Sequence, residues 1–185
     1  MQGSGYPMGT STPPGWAAQQ ILFYQLSSSA LQYSYLSGSG LVTEDIDIDT
    51  FIQSVVNGDQ EVDTPLPIGQ TPPDILLTAP CYVVVQLDDR LNWAFQPGAA
   101  PMLTQDNLAT KYTALNLVDA SGNVYAATAP STPPCRLLYF TVVTVAPASE
   151  SVKDLFSYYF QITQSGGGTC SVVLDPALKN QGGPP

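Results

Sequence analysis

Apolar positions recur along most of this chain with period two, as strands require, and once with a period near 3.6. Ile21, Phe23 and Gln25 alternate with Leu22, Tyr24 and Leu26, a run that suits a strand covered on both faces. Ser27–Ser29 break it, and Leu31, Tyr33 and Tyr35 resume opposite Gln32 and Ser34, which predicts an antiparallel hairpin partner. Residues 81–87 (CYVVVQL) are apolar on both faces, like a central strand. Leu91, Trp93 and Phe95 alternate with Asn92 and Ala94. Residues 112–118 and 124–127 flank Asp119-Ala120-Ser121-Gly122-Asn123, a short hairpin turn with Gly available for a left-handed residue. Residues 137–145 alternate again. Phe156, Tyr158, Phe160 and Ile162 share a face before Ser165–Gly168 turns the chain into residues 169–174.

The period changes once. Ile48, Phe51, Ile52, Val55 and Val56 follow one helical face, with Asp49 where an N-cap would stand and Gly58 as a stop. This predicts a short helix near 49–57. Pro65, Pro67, Pro72 and Pro73 then mark a loop that no central strand tolerates. The expected fold is mainly β, a single antiparallel β-sandwich of jelly-roll or Greek-key type with one short helix. Residues 1–15 are polar and of low complexity and are expected to form a flexible arm. The sandwich domain spans 16–180, and 181–185 are expected to be a disordered tail. Asp175-Pro176 should close the last strand, leaving Lys179 and Asn180 outside the sheet, because Pro cannot donate to a ladder.

Charge narrows the partners. The 185 residues carry a net charge of −10, and all of it sits between Glu44 and Asp89, where ten acids meet no base. A phosphate backbone or an anionic lipid surface would be repelled there, so neither nucleic acid nor membrane is an expected partner. The opening residues lack the basic start and apolar stretch of a secretory leader, and no apolar run approaches a span of about 18 residues. A cytoplasmic location is therefore expected, with Cys81, Cys135 and Cys170 reduced; a disulfide plus one free thiol is the alternative.

The chain has no histidine, which removes Ser-His-Asp and Cys-His catalysis and histidine ligation of metals. No P-loop or GxGxxG occurs. Paired carboxylates remain, so a carboxylate hydrolase is the residual enzymatic reading, and no enzyme is expected. If the run 44–49 is extended, Asp45, Asp47 and Asp49 point to one face and could cradle Ca2+; otherwise they cap and precede the helix. Trp93, Tyr33 and Tyr35, with Asp88 and Asp89, are the candidate ligand-binding set. Aromatic strand faces stack on sugar rings as well as filling cores.

The segments TAPCYVVVQL, LNWAF, PPCRLLYFTV and LFSYYFQITQSGGGT, followed by VLDPALKNQG, resemble a group of small bacterial proteins, the AidA/PixA-type inclusion-body proteins. That group is also loosely labelled "nucleotide synthetase". The resemblance covers residues 78–183, and its best motif is a strand ending in D-P-x-x-K/R-N-x-G. It implies a β-sandwich, cytoplasmic accumulation and sugar binding; nothing in these residues would hold a triphosphate. Two function classes follow. One is a non-catalytic sandwich that self-associates as a structural or accumulation protein, a homo-oligomer favoured by weakly charged, Tyr-rich faces. The alternative is a carbohydrate-binding, lectin-like module, with Ca2+ assistance if the acidic run ligates it.

Overall fold

The computed structural model describes residues 5–29, 32–37, 41–42, 47–60, 64–65, 75–77, 79–87, 92–95, 101–129, 132–145, 151–163, 167–174 and 177–181. In chain order the elements are β1 (Gln20–Ser29), β2 (Gln32–Ser37), β3 (Leu41–Val42), α1 (Ile48–Val56), β4 (Thr64–Pro65), β5 (Ile75–Leu77) and β6 (Cys81–Leu87). They continue with β7 (Trp93–Phe95), β8 (Met102–Thr104), β9 (Tyr112–Val118), β10 (Val124–Ala126), β11 (Leu137–Val142), β12 (Ser151–Thr163), β13 (Thr169–Leu174) and β14 (Ala177–Gln181).

Strict alternation decides the layers. On β1, β6 and β11, Leu22, Tyr24, Val83, Val85, Leu87, Leu138, Phe140 and Val142 face one core; Ile21, Phe23, Val84, Leu137 and Tyr139 face another. The first core is closed by Phe95, Met102, Phe156, Tyr158 and Phe160 of a second sheet, the other by Phe51, Ile52 and Val55 of α1. The result is a mainly β fold of two packed sheets, with the helix covering the outer face of the larger one. That sheet runs β10-β9-β11-β6-β1-β2-β4, with β3 also on β1. In the smaller sheet β12 pairs with β13 and β14, and also with β7 and β8, while β5 extends it from β14. Aromatic edges fill the space between sheets, Tyr112 meeting Phe156 at 4.8 Å and 80°.

Several expectations are corrected. Pairing is mixed and not antiparallel throughout: β1 lies parallel to β6, and β5 parallel to β14. The chain between β1 and β6, which includes α1, brings it back to the same end of the sheet, as a parallel pair requires. The Ser27–Ser29 break does not interrupt β1, whose backbone pairs with β2 through Ser29↔Gln32. The helix begins one residue early. Asp47 is its N-cap: it is extended (φ −89°, ψ 100°), and its carboxylate accepts from the Asp49 N–H and the Thr50 hydroxyl. Gly58 supplies the expected stop at φ +79°.

Asp175-Pro176 does not end the ladder. Tyr158↔Leu174 and Leu155↔Ala177 keep one register with β12 on either side of it, so Lys179 and Asn180 are strand residues paired with Lys153 and Val152. Gln181 likewise belongs to β14, and 182–185 lie outside the described residues.

Within the expected arm, the stretch from Tyr6 to Gly9 is bound to both sheets. Tyr6 exchanges N–H···O bonds with Thr104 of the smaller sheet (2.8 and 3.0 Å). Gly9 donates to Tyr112 O and accepts from Ala114 N–H of the larger one (both 2.9 Å). Met8 is buried between them. Glycine permits this approach, since a Cβ on Gly9 would lie 2.2 Å from Ala109 O. Beside it β9 carries a bulge, Ala114 and Leu115 opposing Phe140, with Ala114 at φ +54°.

Candidate functional site

One cross-strand row forms the floor of a cleft of about 700 Å3 at the end of the larger sheet. Gln25, Gln86, Leu137 and Val118 are register partners in sequence across β1, β6, β11 and β9. All four project from the helix-covered face, because each stands an even number of residues from a side chain of that core or belongs to it. Leu137 and Val118 stay buried against α1, whereas at Gln25 and Gln86 the row turns polar and only half-buried. The two amides join, Gln25 Nε2 donating to Gln86 Oε1 at 3.2 Å.

The walls come from elsewhere. Val55 and Val56 end α1, and Gly58 turns the chain so that Gln60 lines the same side. Asn92, Trp93 and Ala94 of the β7 segment stand with Pro134 and Arg136 on another side. Trp93 is half-buried and its indole leans on Phe160 (centroids 5.5 Å, 37°). That ring is wholly buried, so the indole is backed by rigid core.

Asp119 and Ala120 of the β9–β10 turn form the rim. Asp119 Oδ1 accepts from the N–H groups of Ser121 and Asn123, and Oδ2 from Asn123 Nδ2 and the Tyr125 hydroxyl, each at 2.9–3.0 Å. The side-chain bond from Asn123, with the further donors, pulls the carboxyl down to about 2. The turn is pinned to the helix as Gln53 Nε2 donates to Gly122 O at 3.1 Å. A carboxylate held ionised and occupied by its own turn is a poor general acid. What the described cleft offers is amide donors and acceptors, one guanidinium and one indole edge or face.

The expected site residues are divided by the structure. Trp93 lies in the cleft. Tyr33 and Tyr35 sit on β2, paired with Ser28 and Leu26 of β1, beside the strand that carries Gln25. Asp45, Asp88 and Asp89 fall outside the described residues. Asp47 and Asp49 stand at the start of α1 and not along an extended strand, so the spacing of the expected calcium cradle does not arise between them. Among the described residues no three His, Cys, Asp or Glu side chains gather as a metal site would require. Sequence reasoning missed Gln25, Gln60, Gln86, Asn92 and Arg136. Its one available signal was that ILFYQ and CYVVVQ each end an apolar run with Gln, at matching register.

Cys81 and Cys135 are buried free thiols, raised by burial to about 12 and about 11 respectively. No helix among the described residues is long and apolar enough to cross a membrane. A scan against protein-family models matches none, and a search of curated proteins returns no match.

Proposed function

We propose that this protein is a non-catalytic binding module of jelly-roll-like type that holds a neutral carbohydrate in the cleft beside Trp93. The observation that carries the reading is the cross-strand amide pair Gln25–Gln86 on the floor, facing a core-backed indole in the wall. A sugar ring presents an apolar face of C–H groups to an aromatic ring and hydroxyls at its edge. Glutamine and asparagine side chains both donate to and accept from those hydroxyls. The volume, about 700 Å3, falls in the range of small-ligand sites. Isothermal titration calorimetry with neutral mono- and disaccharides tests it, with recovery of unaltered sugar as the check on non-catalysis. Trp93→Ala and Gln86→Leu should each weaken binding at least tenfold. No saturable response to any member of a broad glycan panel would reject the reading.

Self-association of the accumulation type is a second reading, favoured by β13. Among the described strands it pairs only with β12, and its sequence TCSVVL carries neither charge nor proline to discourage edge pairing. Light scattering at micromolar concentration is the test, and a 19.6 kDa monomer at every concentration and salt would reject it.

A further inference from the structure

A second group of aromatic rings lies on the helix-covered face of the larger sheet, at the opposite end of α1 from the carbohydrate cleft. Tyr82 of β6 is the middle ring. Trp16 meets it edge to face (5.2 Å, 83°), and Tyr139 stands on its other side (6.4 Å, 74°). Trp16 is held in place as its Nε1 donates to Val143 O at 3.3 Å. The start of α1 brings two carboxylates to this corner. Burial raises both phenols, and the negative charge of Asp49 raises them further, joined at Tyr82 by Asp47. Asp47 is occupied by its cap, whereas the Asp49 side chain takes no hydrogen bond or ion pair among the described residues. No base occurs in the sequence before Arg90 to neutralise it.

A third observation is a buried hydroxyl with nothing to bond. Thr141 is 1% exposed, and its Oγ1 has no partner among the described residues. It is the register partner of Tyr82 and stands two residues from Tyr139, so its side chain leaves the sheet on the same face as both tyrosines. An orphaned buried hydroxyl is destabilising unless something supplies a partner.

We infer that the corner formed by Trp16, Tyr82, Tyr139, Asp49 and Thr141 is a binding site for an organic ammonium ion that also carries a hydroxyl or N–H group. Perpendicular ring faces attract a diffuse cation, Asp49 supplies the counter-charge, and the Thr141 hydroxyl meets the ligand's hydrogen-bonding group. A bare metal ion fits worse, since ring carbons cannot replace its water ligands. The site is independent of the carbohydrate reading and shares no residue with it.

The chain has two tryptophans, one at each site, so Trp93→Phe leaves Trp16 as the sole indole reporter here. Choline is the probe, 3,3-dimethyl-1-butanol its neutral isostere, and sodium chloride the ionic-strength control. Choline should shift Trp16 emission along a saturable curve, with the isostere binding on the order of tenfold more weakly. Asp49→Asn should weaken choline by a similar factor. Thr141→Val should keep the fold, as it removes an unsatisfied hydroxyl, and reduce the preference for choline over tetramethylammonium. Equal responses to choline and its isostere would overturn the proposal. So would the absence of a saturable response in protein whose near-ultraviolet circular dichroism is native.

Discussion

Replacing Asp154 by alanine should be among the most damaging single changes in this protein. Asp154 lies on β12 of the smaller sheet and is 4% exposed. Its Oδ2 accepts from Lys111 Nζ at 2.6 Å and from the Tyr112 hydroxyl, both contributed by the larger sheet or the residue before it. The three groups therefore clamp the sheets together. Removing one partner of a buried pair costs about 3–5 kcal/mol, because the other charge stays buried. The Lys111 side chain keeps 17% of its surface in solvent, so its ammonium can reach water and the loss should sit near the lower end, about 3 kcal/mol. For a chain of this size that lowers the melting temperature by about 6–12 °C. Lys111→Met should cost more, since it strands a carboxylate with far less access to water. The triple variant Lys111→Met/Tyr112→Phe/Asp154→Leu should be more stable than Asp154→Ala, because apolar replacement removes the charges together. Urea unfolding followed by circular dichroism measures all of these, with the slope against denaturant as the check that two-state behaviour holds. The reasoning fails if Asp154→Ala loses less than about 1 kcal/mol, or if the single-variant losses add with no coupling.

Gly9→Ala should release the N-terminal segment, because the new Cβ would meet Ala109 O at 2.2 Å. Hydrogen exchange should then quicken at the amides of Tyr6, Gly9 and Ala114, at a cost of about 1–3 kcal/mol. Ala114→Gly should be neutral or stabilising by up to about 1 kcal/mol, since Ala114 sits at φ +54° in the bulge, where alanine is strained. A loss of about 1 kcal/mol, as for glycine in a regular strand, would show that the strain is not relieved. Cys81 and Cys135, pushed up to about 12 and about 11, should resist alkylation at pH 8 in the native protein. Full denaturation should expose three reduced thiols. Because folding favours their neutral form, this contribution to stability is complete below about pH 9 and fades as the pH rises toward 11–12. Rapid native labelling of either thiol would contradict the burial.

Local pattern was enough to read most strands, the one helix and the β9–β10 and β12–β13 turns. Period-two alternation and left-handed glycines act within a few residues, and Gly122 and Gly167 hold φ +83° and +82° where the turns needed them. The residue types Trp93 and Asp47 also stood out in the sequence, and of the two readings open for Asp47 the structure shows the helix-capping one. Non-local pairing could not be read that way. CYVVVQL is apolar on both faces whether its second cover is a sheet or a helix, and only packing assigned Val84 to the helix and Val83 and Val85 to the second sheet. Pro176 forbids one hydrogen bond and says nothing about the register that resumes beyond it. The cleft lay beyond sequence reasoning for the same reason. Gln25 and Gln86 are 61 residues apart, and they become neighbours because β1 and β6 pair in parallel, a contact set by closure of the whole chain and by no local propensity.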